Sequence, residues 1–431
     1  MRLLHVSDIH FKAPDCSDRA RDPENPVRVA MVRSVRERVE SFGGIDAILI
    51  TGDIAFRAFP SEYDVADEWF RELAEAASCS IDEIYVVPGN HDVHRPTITG
   101  TVAIKNAHAA ILAADNHIER ATREQLADQD TERALLAPLE AYNTFARVFD
   151  CAVLPGKWSW IHQISMGNGV VVRLHGITST LLSGAIKVDQ KQDDQPGGLY
   201  LQPHQFALTP QDDVINVVLA HHPPSWLRNA REFERAIENF AHLQFFGHEH
   251  DRRHHATPTF LRMFSNAVNP DRTEAGAPGY NLIRLETTGA GKNRALKIEF
   301  MELEWQNNPP KFRPVIYGHD THTIFTHTIP FPGVEHCPLP KNNGDIAVTI
   351  DPPEEVPMVP PNPQPSWRNL IRRFWNLGVQ QRHEIITSLG VTVAADESLS
   401  DLERSSHALE RIVERNLAQQ LETELQGRER A

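Results

Sequence analysis

Ile84-Tyr85-Val86-Val87-Pro88-Gly89-Asn90-His91-Asp92 reads as a short buried strand that a Pro-Gly turn breaks into a polar loop. Four apolar residues supply the strand. Asn90, His91 and Asp92 follow at its carboxyl end, the edge of an open α/β sheet where ligands bind. Asn, Gly and Asp are also ordinary turn residues, so this loop alone does not separate a site from a turn.

The chain before it repeats the same plan. Leu3-Leu4-His5-Val6 is an apparent strand running into Ser7-Asp8-Ile9-His10. Pro26 to Phe42 carries Val29, Val32, Val35 and Val39 at helical spacing, and Asp46 to Thr51 is a nearly continuous apolar strand ending in Gly52-Asp53. A further helix spans Ser61 to Ala77, with Tyr63, Ala66, Trp69, Phe70 and Leu73 on one side and a Ser61/Asp64 capping pair. Strand, helix, strand, helix, strand with short links predicts an α/β layered fold.

From Thr97 to Asp150 long helical stretches such as Thr131 to Phe149 replace this plan, and read as an insertion, either a lid or a structural excursion. Strands resume at Val170–Leu174 and Val214–Ala220, separated by a polar, Gly-rich loop over Val188 to Gly198. The second of these strands ends in His221-His222-Pro223-Pro224. A helix from Ser225 to Phe240 leads to Leu243–Phe246, which ends in Gly247-His248-Glu249-His250. Strands over Phe260–Ser265, Tyr280–Glu286 and Leu296–Glu304 look antiparallel and are expected to complete a second sheet. Trp158 and Trp160 alternate as packing residues of a half-buried strand. Residues 351–366 are Pro-rich and read as an extended linker. They divide an expected catalytic domain, 1–350, from a helical module, 367–431. That module reads as three helices, Trp367–Gly378, Gln380–Gly390 and Leu399–Leu425, with Gly378 and Gly390 at C-cap positions.

The formal net charge is −15, from 58 acidic against 43 basic side chains, which opposes broad non-specific binding to nucleic acid but leaves room for a local basic groove. No window approaches the ~18 consecutive apolar residues of a membrane span. The N-terminus enters its strand too early for a signal peptide. Cys16, Cys79, Cys151 and Cys337 lie far apart without CxxC spacing. They read as isolated thiols of a cytoplasmic protein.

Five blocks therefore fall at strand ends: Asp8-x-His10, Gly52-Asp53, Gly89-Asn90-His91-Asp92, His221 and Gly247-His248-x-His250. Imidazole, carboxylate and amide oxygen together suit a borderline divalent cation. Seven donors exceed one tetrahedral ion and suit two ions about 3.5–4 Å apart sharing a carboxylate, the arrangement that polarises a phosphoryl group and brings a bridging water to hydroxide near neutral pH. His91 is placed to protonate the leaving alkoxide as general acid. Asp92 adjoins it, but adjacency does not show which group orients the ring. His222 is an alternative ligand to His221.

The ordered set D-x-H, G-D, G-N-H-D, H and G-H-x-H over residues 1–300 resembles the calcineurin-like metallophosphoesterase superfamily. The resemblance implies a four-layer αββα sandwich. It implies one metal on Asp8, His10, Asp53 and His250, and a second on Asp53, Asn90, His221 and His248. Asp53 would be the bridge and His91 the catalytic histidine outside both ligand sets. Manganese is the expected ion, with iron or zinc as alternatives. Gly52-Asp53-Ile54-Ala55-Phe56 lacks the G-D-x-x-D-R-G extension of the phosphoprotein phosphatases. The implied activity is therefore hydrolysis of a phosphodiester in a nucleotide or nucleic acid, with Arg57 as a candidate contact to substrate phosphate. The C-terminal helices, through Phe374-Trp375-Asn376-Leu377, Arg382-His383-Glu384-Ile385 and Leu389-Gly390, resemble adaptor modules on bacterial defence effectors. That resemblance implies a protein partner, or self-association, through 367–431. A defence nuclease recruited in this way is one alternative reading, and a non-catalytic nucleotide sensor of the same fold is another.

Overall fold

The computed structural model describes residues 1–185, 194–270, 276–316, 322–331 and 366–429 of the 431. The stretch 351–365, residues 188–193 of the Gly-rich loop, His319 and Cys337 lie outside the described residues.

β1 (Arg2–Val6), α1 (Asn25–Phe42), β2 (Ala47–Ile50), α2 (Pro60–Ala76) and β3 (Ile84–Val86) follow the expected alternation. The three strands pair in parallel. Every residue of β2 and β3 is buried, as in a sheet covered on both faces. α2 buries Tyr63, Ala66, Trp69, Phe70 and Leu73, the side marked by their spacing. Its start differs from the expected Ser61/Asp64 cap. Phe59 is the N-cap, and Glu62 accepts from the backbone N–H groups of Phe59, Arg57 and Ala13, each at 3.0 Å. A longer carboxylate side chain reaches back over the first turn where Asp64 does not.

Five helices follow: α3 (Arg95–Gly100), α4 (Val102–Ala113), α5 (Ile118–Ala127), α6 (Gln129–Leu136) and α7 (Glu140–Ala146). The helix expected over 131–149 breaks into α6 and α7 around Ala137-Pro138-Leu139, since Pro138 has no N–H to continue the ladder. Ile104, Ile111 and Tyr142 sit in the main core, and the Tyr142 hydroxyl donates to the Val86 carbonyl at 3.2 Å. The insertion is thus built into the core beside β3.

β4 (Ser159–Gly167), β5 (Val170–Ile177), β6 (Val214–Ala220), α8 (Ala230–Phe240), β7 (Leu243–Phe246), β8 (Arg253–Ala256) and β9 (Leu261–Phe264) build a second sheet of order β4-β5-β6-β7-β9-β8. Its inner strands β5, β6, β7 and β9 are parallel. α8 begins later than expected because Pro224-Ser225-Trp226 form a separate 3-10 turn. Trp158 and Trp160 are packing residues, but both are fully buried, and the Trp160 indole donates to the Val86 carbonyl.

β10 (Gly279–Thr288), β11 (Ala295–Asn307), β12 (Pro310–Pro314) and β13 (Phe325–Pro330) correct the expectation for the late strands. β11 runs antiparallel to β10, β12 and β13, but these strands extend the first sheet, in the order β12-β11-β10-β1-β2-β3 with β13 also on β11. Leu4 pairs with Leu282. β1 is buried along almost its whole length and requires a neighbour on each side. The two sheets face each other: the His5 ring of β1 lies 4.8 Å from Phe245 of β7, and Tyr85 of β3 lies 6.0 Å from Trp160 of β4. With helices outside, this is a four-layer sandwich.

The C-terminal region is α9 (Trp367–Trp375), α10 (Val379–Ser388), α11 (Asp401–Glu414) and α12 (Ala418–Glu429) around its own core of Leu370, Phe374, Ile385, Ile412, Leu421 and Leu425. The third expected helix is two helices, because Asn416 turns left-handed at φ 55°. Gly390 does end α10 at φ 64°, whereas Gly378 caps the start of α10 and donates its N–H to Gln381. The module is fastened to the edge strand of the first sheet. Arg368 of α9, 8% exposed, donates to the carbonyls of Asp82 and Ile84 and lies 3.9 Å over the Tyr85 ring. Arg372 pairs with the Asp82 carboxylate, and Glu403 pairs with Arg133 of the insertion at 2.9 Å. Arg368→Ala leaves two buried carbonyls without a donor and is expected to cost about 2–3 kcal/mol. The loss is measured by denaturant unfolding of the full chain, with faster proteolytic release of the helical module as the second readout.

Candidate metal centre

The carboxyl ends of β1, β2, β3, β6 and β7 converge on one point, and each delivers polar residues there. Asp8, His10, Asp53, His248 and His250 adopt left-handed backbone, with φ of 55°, 53°, 52°, 69° and 52°. This conformation costs roughly 1–2 kcal/mol for each non-glycine residue, and such strain concentrates at functional sites. The loops are tied to one another to hold it. Asp8 N–H donates to the Gly52 carbonyl, and the Ile9 and His10 N–H groups both donate to the Asp53 carbonyl. Asn269 N–H, beyond β9, donates to the Asp8 carbonyl. Two glycines make the approach sterically feasible. Gly52 has φ 96°, and a Cβ there would lie 2.7 Å from His221 Nδ1; a Cβ at Gly89 would overlap the Asp53 carboxylate.

All seven residues expected from the sequence meet. Asp53 Oδ2 lies 3.2 Å from His10 Nε2 and 3.3 Å from His221 Nε2. Asp8 Oδ1 lies 3.1 Å from His250 Nε2. Asn90 Oδ1 is 3.0 Å from both His221 Nε2 and His248 Nδ1. Two rings are aimed from behind: His10 Nδ1 is 3.2 Å from the Asn269 carbonyl and His221 Nδ1 is 2.8 Å from the Thr51 carbonyl. Those contacts place the proton on Nδ1 and turn Nε2 towards the cluster, the usual way a ligating histidine is oriented. Asn269 carries no motif, and nothing in the sequence pointed to its carbonyl.

His91 stands beside this set. Its backbone N–H donates to Asp53 Oδ1 at 2.7 Å, while its ring Nδ1 lies 2.9 Å from the Phe56 carbonyl and the ring stacks on Phe56 at 4.9 Å. Asp92 does not orient His91. It is fully buried and accepts from the N–H groups of Ile54, Ala55 and Gly89 and from the Tyr63 hydroxyl. Asp92 is the clamp between the β2 and β3 loops. His222 faces Ser179 Oγ at 2.8 Å and Asp194 Oδ2 at 3.5 Å, although its donor atom is within 4.8 Å of those of His221 and His248. Trp226, missed in the sequence, packs edge-on to His248 at 3.9 Å and donates its indole N–H to Glu249. Arg57 is exposed and lies over the Phe56 ring at 5.9 Å.

The electrostatics describe a site that draws positive charge. Burial would raise the Asp53 carboxyl, yet the imidazoles of His221, His91 and His10 hold it well below its ordinary value. His221 is the counterpart: burial would lower it, but Asp53 and Asp8 push it up to about 9. His91 is lowered to about 4 by burial, against the pull of Asp53. Asp92 is raised to about 6 by burial and by Asp53, despite its N–H donors. Buried carboxylates with imidazole Nε2 atoms turned inwards are the donor chemistry of a borderline divalent cation, and the groups Asp8/His10/His250 and Asp8/Asp53/His221 each bring three such atoms within 4.8 Å. The residues fit the metal expected of them.

Residues 1–252 match the family described as calcineurin-like phosphoesterase. The chain belongs to that family. Residues 366–426 match the GTPase-associated adaptor domain, so the C-terminal helices are an adaptor of that type. The uncharacterised metallophosphoesterase-like protein YydB of Bacillus subtilis (strain 168) is 23% identical over 292 residues, 63% of this chain and 54% of the relative. The chain thus spans about half the length of the curated relative it matches. Among solved structures, Vps29 of Entamoeba histolytica has 12% identity and a TM-score of 0.30, with 74% of this chain and 100% of that one covered. GAP50 of Plasmodium, the anchor in the inner membrane complex, has 9% identity and a TM-score of 0.38, with 77% and 89% covered. The family match spans the strand ends that carry all seven donor residues. Among the described residues no helix is long and apolar enough to cross a membrane.

Asp92→Ala strands three buried N–H groups and is expected to cost about 3 kcal/mol or more, whereas Tyr63→Phe removes a single hydrogen bond worth about 1 kcal/mol. Thermal unfolding ranks the pair, and elemental analysis should find metal content reduced only in Asp92→Ala.

Proposed function

We propose that the protein is a dinuclear phosphodiesterase acting on a nucleotide or nucleic acid. The observation that carries this reading is the meeting of seven donor side chains, Asp53 among them, with His91 alongside them but held by Phe56 instead. Asp8, His10, Asp53 and His250 would hold one ion, and Asp53, Asn90, His221 and His248 the other, with manganese the first choice. Bound there, two divalent ions supply polarisation of the phosphoryl oxygens and a water of lowered pKa.

The side chains do the remaining work. Asp53 fixes the spacing of the two donor sets from between them. His91 presents Nε2 towards the reacting group because Phe56 occupies Nδ1. In the free site burial keeps this ring neutral. An arriving phosphoester anion favours its protonated form, and the proton on Nε2 then passes to the leaving alkoxide. Arg57 is placed to meet a phosphate oxygen outside the donor cluster. Residues 1–350 form the catalytic unit and 367–431 the adaptor, joined by the Pro-rich stretch, in a cytoplasmic protein.

The adaptor match favours a second reading of the same site, a nuclease of a bacterial defence system brought to its target by a GTPase partner. A screen of manganese-loaded full-length protein against bis(p-nitrophenyl) phosphate, p-nitrophenyl phosphate, cyclic nucleotides, and single- and double-stranded DNA and RNA tests both. Turnover of monoesters alone would sink the diesterase reading. His91→Ala is expected to lower kcat about 10²–10⁴-fold with metal content unchanged by elemental analysis. Asp53→Asn should lose metal, and chelation by EDTA should abolish wild-type turnover in a manner that added manganese restores.

A further inference from the structure

We propose that His222 and Trp226 are positioning residues for His248, and that their rings set the metal affinity of the second donor set, Asp53, Asn90, His221 and His248. This deepens the two-ion reading and rests on it for the division of the donors into sets.

The donor histidines are not all aimed in the same way. His10 and His221 each turn Nδ1 to a backbone carbonyl, of Asn269 and Thr51, and Nε2 to the cluster. Such a bond fixes both the tautomer and the direction of a ligating ring. His248 is built differently. Its Nδ1 is the inward atom, 3.0 Å from Asn90 Oδ1 and 3.2 Å from His221 Nε2. Among the described residues its Nε2 meets no acceptor. The residue is only half-buried, and its backbone is left-handed. A ring with no hydrogen bond behind it keeps its direction through packing. Two rings supply that packing: Trp226 edge-on, with 3.9 Å between centres, and His222, with 4.4 Å.

Both rings come from one segment, His221-His222-Pro223-Pro224-Ser225-Trp226, which follows β6. The Trp226 N–H donates to the Pro223 carbonyl at 3.0 Å, closing the 3-10 turn that brings the indole back to the site. Its indole N–H then donates to Glu249 at 3.1 Å. Glu249 stands between His248 and His250, so the turn and the donor loop hold one another. His222 is fully buried and fixed from the other side. Ser179 Oγ accepts its backbone N–H at 3.3 Å and lies 2.8 Å from its ring Nδ1. The serine proton goes to Nδ1, which leaves the ring proton on Nε2, 3.5 Å from Asp194 Oδ2. Neither nitrogen of His222 is turned to an ion, so the ring backs His248 instead of joining it. Among the described residues the ring contacts of His222 and Trp226 are with each other, His221 and His248. Both donors they touch belong to the second set. Loss of either ring therefore loosens that set and spares the first.

Calorimetric titration of manganese into the metal-free, full-length protein reads the two sets as two binding steps, with His250→Gln and His248→Gln assigning them. Trp226→Leu is expected to weaken the second step about tenfold and leave the first unchanged. Trp226→Phe keeps a ring against His248 and should restore most of that loss. His222→Ala should weaken the same step. Trp158→Leu truncates a buried tryptophan bonded to Glu132 and should change neither. In metal-free protein labelled with ¹³C at histidine Cε1, the signal that His248→Gln removes should move in Trp226→Leu. An equal loss in both steps, an unchanged second step, no restoration by Trp226→Phe, the same selective loss in Trp158→Leu, or an unmoved His248 signal would each overturn the positioning role. A wild type that takes up a single ion would instead overturn the two-ion reading, and the His248 signal would still decide whether the rings hold it.

Discussion

Asp53 is buried to 1% exposure, and its carboxylate faces His10, His221 and the His91 N–H within 3.3 Å. An isolated carboxylate in such a place would be protonated or expelled, because burying an uncompensated charge costs several kcal/mol. The surrounding donors keep it ionised, and both sheets supply them: His10 and His91 follow strands of the first, and His221 follows β6 of the second. Gly52 and Gly89 leave room for it. The Asp53 carbonyl receives the N–H groups of Ile9 and His10, so the β1 loop is positioned by the residue whose side chain it serves. Asp92 clamps the third loop to the same segment. The strained backbone at five donor residues persists because these hydrogen bonds over-determine it.

The first sheet carries the adaptor. β3 is an edge strand, and its unpaired side would expose carbonyls. Arg368 meets two of the carbonyls there and Arg372 meets the Asp82 side chain. One end of β3 thus holds the helical module, and the other end opens into Asn90 and His91. The adaptor is seated on the strand that supplies two of the site's residues, a geometric fact of this chain whatever the partner of the module.

Alternation of short apolar strands with amphipathic helices determined the α/β class, because a sheet covered on both faces needs continuous apolar strands. Local motifs at the strand ends marked the candidate donors as well. Asp8, His10, Asp53, Asn90, His221, His248 and His250 were legible because each sits at a strand end in a local motif, and parallel topology brings those ends to one edge. The boundaries of α1, α2, β2 and β3 fall within a residue or so of their periodic patterns.

Long-range pairing was not legible. β10 and β11 join β1 rather than the second sheet because sheet membership depends on which edge is free, and alternation along a strand carries no record of that. The break at Asn416 and the cap at Gly378 turn on single backbone conformations within otherwise helical patterns. The roles around His91 were decided by tertiary structure alone: the Phe56 carbonyl orients the ring, Asp92 braces loops, and Asn269 aims His10. Each depends on backbone groups or ring faces from segments distant in the chain or on loop paths, and a carbonyl oxygen or an aromatic face has no residue-type signature. The sequence by itself specified which side chains gather at the strand ends; folding decided what holds them and which way they point.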